Sequence, residues 1–233
     1  LGRFWPLEAP RRLISKLPPN TDPKAWEISF QSSLKRLASS SLDAFLLHRS
    51  ADLTESNGER LLDWLESLRS RGLAKRIGVS IYDASELDVL PLDRLQLVQL
   101  PLSIYDQRLL MDGTVRHLHK AGVAVHARSI FLQGLLLQAP ERWPSFLSTP
   151  FQDHHRRLTS FLAESNMSLL QAALNFARTC EDIEAALVGV LSLKEMNQVL
   201  QSWQQPHSLE FRSLTAWAWE NLADIDPRSW PVR

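Results

Sequence analysis

Cysteine, glycine, tyrosine and net charge are all scarce in this chain of 233 residues, and each scarcity excludes something. Cys180 stands alone, so no disulfide can form within the chain and no cysteine pair can hold zinc. A reducing compartment is the expectation. With only eight glycines, no G-x-G-x-x-G occurs, and the phosphate-binding turn that opens a dinucleotide-binding open sheet is therefore missing. No G-x-S-x-G elbow occurs either, which argues against a common hydrolase nucleophile. The 26 basic and 26 acidic residues cancel, leaving no electrostatic footprint for nucleic acid or an anionic membrane. No apolar run approaches the roughly 20 residues that span a bilayer. The opening "LGRFWPLEAPRR" lacks the basic-then-apolar order of a signal peptide. These absences predict a soluble, cytoplasmic protein whose partner is a small molecule or another protein.

What is present is a 44% hydrophobic composition, enough to fill a sizeable core. Short apolar runs with strand character recur at 12–15, 43–48, 76–82, 95–100, 123–129 and 184–190, and helical patterns fill the gaps between them. Asp22 with Pro23 opens a helix whose Trp26, Phe30, Leu34 and Leu37 form one stripe. A second helix over 58–71 turns Leu61, Leu65 and Leu68 inward and stops at Gly72. Weaker patterns cover 84–90, 109–121, 151–164, 168–179 and 193–203. Continuous apolar strands separated by helices predict a parallel sheet buried on both faces. Without a glycine-rich turn the expected fold is α/β of the TIM (β/α)₈ type. Only six βα units are visible in one domain over 1–233, so the barrel is incomplete, these units are strands 3–8, and two units are expected upstream of Leu1. Unpaired strand edges then predict association or instability of the fragment.

In such a barrel the catalytic groups sit at the C-terminal ends of the strands. Those ends supply Lys16, His48, Ser80 with Tyr82, Gln99, Arg128 with Ser129, and Gly189. Strand alternation turns His48 inward with Ala44 and Leu46 and leaves Arg49 at the rim. A lysine beside a histidine suits acid-base work, because the ammonium lowers a neighbour's pKa while the imidazole orients a carbonyl. The plainer alternative is a snorkelling lysine and a satisfied buried histidine. "SLKE", from Ser192 to Glu195, reads as a capping box opening a helix after the last strand, where barrels commonly hold a phosphate. His117, His119, His154 and His155 lack metal-ligand spacing, so no metal is assigned. Trp26 and Trp64 read as core.

"LDAFLLHRS", "GLAKRIGVSIYD", "LQLVQLPLSIYDQRLL", "GVAVHARSIFLQGLLL" and "ALVGVLSLKEMNQVL" occur in this order, and together they resemble the aldo-keto reductases. The nearest branch is that of bacterial members in nucleotide-sugar and surface-glycan pathways. The resemblance implies a (β/α)₈ oxidoreductase that reduces a carbonyl, sugar-derived by the branch, with NADPH and with NADH as the alternative. It implies that Lys16 lowers the pKa of a catalytic tyrosine and that His48 binds the substrate carbonyl. Ser80 and Gln99 match positions that hold the nicotinamide carboxamide, and Arg128 stands where a ring stacks on it. Ser129, Phe131, Gln133 and Gly134 match the loop crossing the pyrophosphate, and Gly189, Leu191 and Ser192 the loop that receives the adenosine phosphate. Departures are clear. Neither Tyr82 nor Tyr105 matches the tyrosine acid, which in the family comes from the first two βα units. Ile81, Leu191 and Val199 replace an asparagine, a basic residue and an asparagine. These departures leave open a second function, a catalytically silent barrel that senses nucleotides or binds a protein.

Overall fold

The structure, a computed structural model, describes residues 12–19, 22–205 and 210–231. Along the chain it places β1 (Ile14–Leu17), α1 (Pro23–Leu37), β2 (Leu42–Leu47), α2 (Gly58–Ser70), β3 (Ala74–Ser80), β4 (Leu97–Pro101), α3 (Arg108–Met111), α4 (Thr114–Lys120), β5 (Ala124–Arg128), α5 (Thr149–Glu164), α6 (Leu169–Thr179), β6 (Ala185–Ala186), α7 (Leu193–Gln204), α8 (Phe211–Thr215) and α9 (Leu222–Ile225). The six strands form one sheet in sequence order, β1 to β6, with parallel pairing. The fold is therefore α/β, with the strand order of a TIM-type barrel that does not close among the described residues. Contacts gather into two compact units. One holds the chain up to Leu100 together with His117–Val125; the other holds Pro101–Arg116 and the chain from His126.

In the first unit β2 is apolar except for Asp43, which pairs with Arg76 at 2.7 Å, because both its faces are covered. Phe45 meets Phe30 of α1 edge-on at 5.0 Å and Trp64 of α2 at 6.1 Å. Burying one such ring stabilises by about 1.5–3 kcal/mol. The opposite face carries Ala44, Leu46 and Leu97, fully buried, with Ile14 and Ala124 packed against them. Registers Lys16↔Leu46, Leu46↔Gly78 and Gly78↔Leu97 put these residues in one row. Gly78 must be glycine there: a Cβ would lie 1.8 Å from the Leu97 carbonyl oxygen, which cannot move without breaking the ladder. The helix ends follow local chemistry. Asp22 Oδ1 accepts from Lys24 N at 3.0 Å with Pro23 in the first turn, and α2 stops at Gly72.

In the second unit aromatic rings from separate segments pack together. Phe151 of α5 lies 5.0 Å from Tyr105, 5.0 Å from Trp143 and 5.3 Å from Trp219. The buried Asp224 carboxylate ties the C-terminal segment to the start of α5 through Ser148 and to Trp219 and Asn221.

Several element boundaries differ from the sequence expectation. The first strand lies at Ile14–Leu17 rather than 12–15, so Lys16 falls inside it. The pattern over 84–90 forms a 3-10 helix, Ala84–Val89, closed by a capping box between Asp83 and Glu86. The helix expected over 109–121 is split into α3 and α4, with Gly113 at φ 85° in the break. The last strand pairs through Ala185 and Ala186 alone. Trp26 is buried as expected, whereas Trp64 is half-buried and donates Nε1–H to Glu27 at 3.1 Å. No helix among the described residues is long and apolar enough to cross a membrane.

Candidate functional site

Period-two alternation in the first unit places Lys16, His48, Ser80 and Gln99 on the face that carries Ala44, Leu46 and Leu97. Ser80 and Gln99 are register partners, both buried, and Ile81 N–H donates to the Gln99 carbonyl at 2.9 Å just beyond. His48 follows β2 directly, and its N–H donates to the Leu17 carbonyl at 3.1 Å, which extends the β1–β2 ladder to the imidazole. Its side chain is exposed, and that of Lys16 half-buried. Arg49 is a rim residue, with Nε on Asp52 and Nη2 on Glu55, each at 2.7 Å.

Glu86 is the residue that the sequence reading missed. Its carboxylate accepts from Tyr82 N at 2.6 Å and Asp83 N at 2.9 Å, and Ser50 Oγ also donates to it. It thereby pins the loop after His48 to the loop after Ser80. The available signal was the D-x-x-E spacing from Asp83.

The second unit contains a cavity of about 670 Å³, within the range of small-molecule sites. Two segments far apart in sequence build its wall: Ser129, Phe131, Gln133 and Gly134 after β5, then Gly189 and Leu191 before α7. The loop after β5 is strained. Ser129, Leu132 and Gln133 adopt φ 61°, 46° and 55°, a left-handed region costly for residues with a Cβ, and Gly134 follows at φ 86°. Bonds from Leu132 N to Ser129 O and Gly134 N to Phe131 O, both 2.8 Å, hold this shape. Trp143 Nε1 steadies it from behind by donating to the Leu135 carbonyl at 3.0 Å. Strain of this kind persists where the surroundings enforce it, as at ligand clamps. Around Gly189 a Cβ would meet nothing, so the backbone there is open to a ligand.

Ser192 caps α7, its Oγ accepting from Glu195 N at 3.1 Å, and is not part of the cavity wall. Glu195 reaches back to Leu191 N at 2.7 Å, one residue earlier than the reciprocal bond of a capping box. Arg128 is half-buried at the end of β5, its carbonyl accepting from Leu102 N at 3.0 Å, and it too lies outside the wall.

Other reactive side chains are spoken for. Tyr105 O–H bonds His155 Nδ1 at 2.6 Å in a fully buried pair. Burial lowers the His155 pKa to about 4 and raises that of Tyr105 well above its ordinary value. A neutral imidazole that accepts from Tyr105 and donates to the Gln138 carbonyl satisfies both ring nitrogens. Burial pushes the Cys180 thiol up to about 11, which makes it a poor nucleophile. No group of three metal-ligating side chains occurs among the described residues.

Comparison with known proteins gives a consistent family. The model of the aldo/keto reductase family matches residues 12–214. No curated protein matches the chain. Among solved structures, aldo-keto reductase AKR11C1 from Bacillus halodurans in its apo form is similar with a TM-score of 0.72 at 19% identity, covering 94% of this chain and 74% of that one. An aldo/keto reductase from Klebsiella pneumoniae, in complex with NADP and acetate, is similar with a TM-score of 0.66 at 19% identity, covering 88% and 69%.

Proposed function

Because the chain belongs to the aldo/keto reductase family, we propose that it is an NAD(P)H-dependent carbonyl reductase whose substrate is a small, sugar-derived aldehyde or ketone. The observation that carries this reading is the second unit's cavity, where a strained loop and the segment before α7 meet around an open space. The residues suit a dinucleotide: left-handed backbone at Ser129 and Gln133 brings main-chain groups close, and Phe131 and Leu191 offer apolar walls. The bound nicotinamide cofactor supplies the hydride.

Each residue then has a task. Ser80 and Gln99, as neighbours in register, offer a hydroxyl and an amide to a carboxamide group. The exposed His48 imidazole donates to the carbonyl oxygen, which polarises the bond and stabilises the negative charge that develops there. The Lys16 ammonium, on the same face, favours the deprotonated form of whichever acid delivers the final proton. By family resemblance that acid is a tyrosine from a preceding βα unit. Tyr105 does not replace it, since its hydroxyl is committed to His155. Ile81, Leu191 and Val199, where the family has an asparagine, a basic residue and an asparagine, favour the second reading, a barrel that binds the nucleotide without reducing anything.

Titration of the full-length protein with NADH and NADPH by fluorescence, followed by assay with sugar aldehydes and ketones, tests both readings. Binding of a reduced dinucleotide with turnover is the expected result. Binding without turnover on any carbonyl supports the silent barrel, and failure to bind either nucleotide overturns both.

A further inference from the structure

The two nicotinamide dinucleotides differ at one position, the adenosine 2′ carbon, which bears a hydroxyl in NAD and a phosphate in NADP. A phosphate there needs cations or unspent N–H donors, whereas a ribose diol is well served by a carboxylate that accepts from its hydroxyls. The cavity of the second unit has one charged side chain in its wall, and it is an acid, Glu195. Among the described residues no lysine or arginine lines it. Glu195 sits in the first turn of α7, anchored because its own N–H donates to Ser192 Oγ at 3.1 Å and its Oε2 accepts from Leu191 N at 2.7 Å. The second bond takes up the N–H that a phosphate approaching the start of α7 would use. The other carboxylate oxygen, Oε1, accepts no hydrogen bond from the described residues and remains available to a ligand.

We propose, on the reading of this cavity as the cofactor site, that the chain selects NAD(H) over NADP(H) and that Glu195 is the residue that reads the 2′ position. A 2′-phosphate seated here meets a fixed carboxylate with no compensating cation in the wall, and like charges held within several ångströms oppose binding. A 2′-hydroxyl donates to the same carboxylate in a charge-assisted bond.

The test is calorimetric titration of the full chain with NAD+ and with NADP+, with no turnover required. NAD+ is expected to bind tighter by roughly tenfold or more, and raising the salt should narrow that gap as the repulsion is screened. Glu195→Gln keeps an acceptor for Leu191 N and removes the charge. It should strengthen NADP+ binding by roughly tenfold while weakening NAD+ only a few-fold. Equal or tighter binding of NADP+ by the parent chain overturns the preference, and a Glu195→Gln variant with an unchanged ratio overturns the role of Glu195. Failure of both nucleotides to bind overturns the cavity's reading as a cofactor site, and the inference with it.

Discussion

Replacing Asp224 should unfasten the C-terminal segment from α5. The carboxylate is 1% exposed and takes four hydrogen bonds: Oδ1 from Ser148 N at 2.8 Å, and Oδ2 from Ser148 Oγ at 2.8 Å, Trp219 Nε1 at 3.0 Å and Asn221 Nδ2 at 3.0 Å. In Asp224→Ala the exposed Asn221 amide and the Ser148 hydroxyl can turn to water, but the Ser148 N–H and the Trp219 indole N–H are left without their acceptor. Two such losses at about 1–3 kcal/mol each, with the packing lost on truncation, put the cost at about 3–5 kcal/mol. Asp224→Asn is milder. Its one carbonyl oxygen serves best at the end that holds three donors, which turns the amide NH₂ toward Ser148 N and loses a single bond, at about 1–3 kcal/mol. Urea unfolding at pH 7, followed by tryptophan fluorescence with Trp219 among the reporters, measures both. An alanine variant within about 1 kcal/mol of the parent refutes the reasoning, as does an asparagine variant less stable than the alanine.

Two further outcomes follow from the same physics. His155 has a folded pKa near 4, below the unfolded value of about 6.5, so the unfolded chain binds the proton first as pH falls through that window. Stability is therefore flat with respect to this group above pH 6.5 and declines between pH 6.5 and 4, by on the order of 3 kcal/mol. Urea midpoints taken from pH 7 to 4.5 should fall less steeply in His155→Gln than in the parent, and parallel slopes would count against the assignment. Ala38, just past α1, adopts φ 49°, and Ser39 N bonds back to the Leu34 carbonyl at 3.1 Å, a helix end that glycine suits better. Ala38→Gly should raise stability by about 0.5–1 kcal/mol, and a lower unfolding midpoint would contradict this.

Much of the frame was legible because its causes are local. Continuous apolar runs in β2 and β3, and stripes at three and four in α1 and α2, act between residues close in sequence, so the succession of strands and helices could be read directly. Alternation in β2 turned His48 inward, Lys16, Ser80 and Gln99 were read only as strand ends, and the Asp22 and Ser192 caps could be read from residue type and spacing. Where local signals competed, boundaries moved: Gly113 split one expected helix, and the final strand kept only Ala185 and Ala186 in register.

The sequence by itself determined the family, the order of its strands and the residue types available for chemistry. Tertiary structure alone decided how those residues are placed and paired. The left-handed backbone of Ser129, Leu132 and Gln133 runs against their own preferences and is held by its surroundings, so no propensity announces it. Tyr105 and His155 stand 50 residues apart, and only packing could join them into a buried, hydrogen-bonded pair. Glu195 reads in sequence as half of a capping box, a sign of phosphate at the start of α7. Folding places it in the cavity wall as the one charged group among the described residues there, which is the ground for the proposed contact with a ribose hydroxyl. The reason is common to all three. Such roles depend on long-range closure of the chain and on charge in a shared space, and neither is written in the spacing of neighbouring residues.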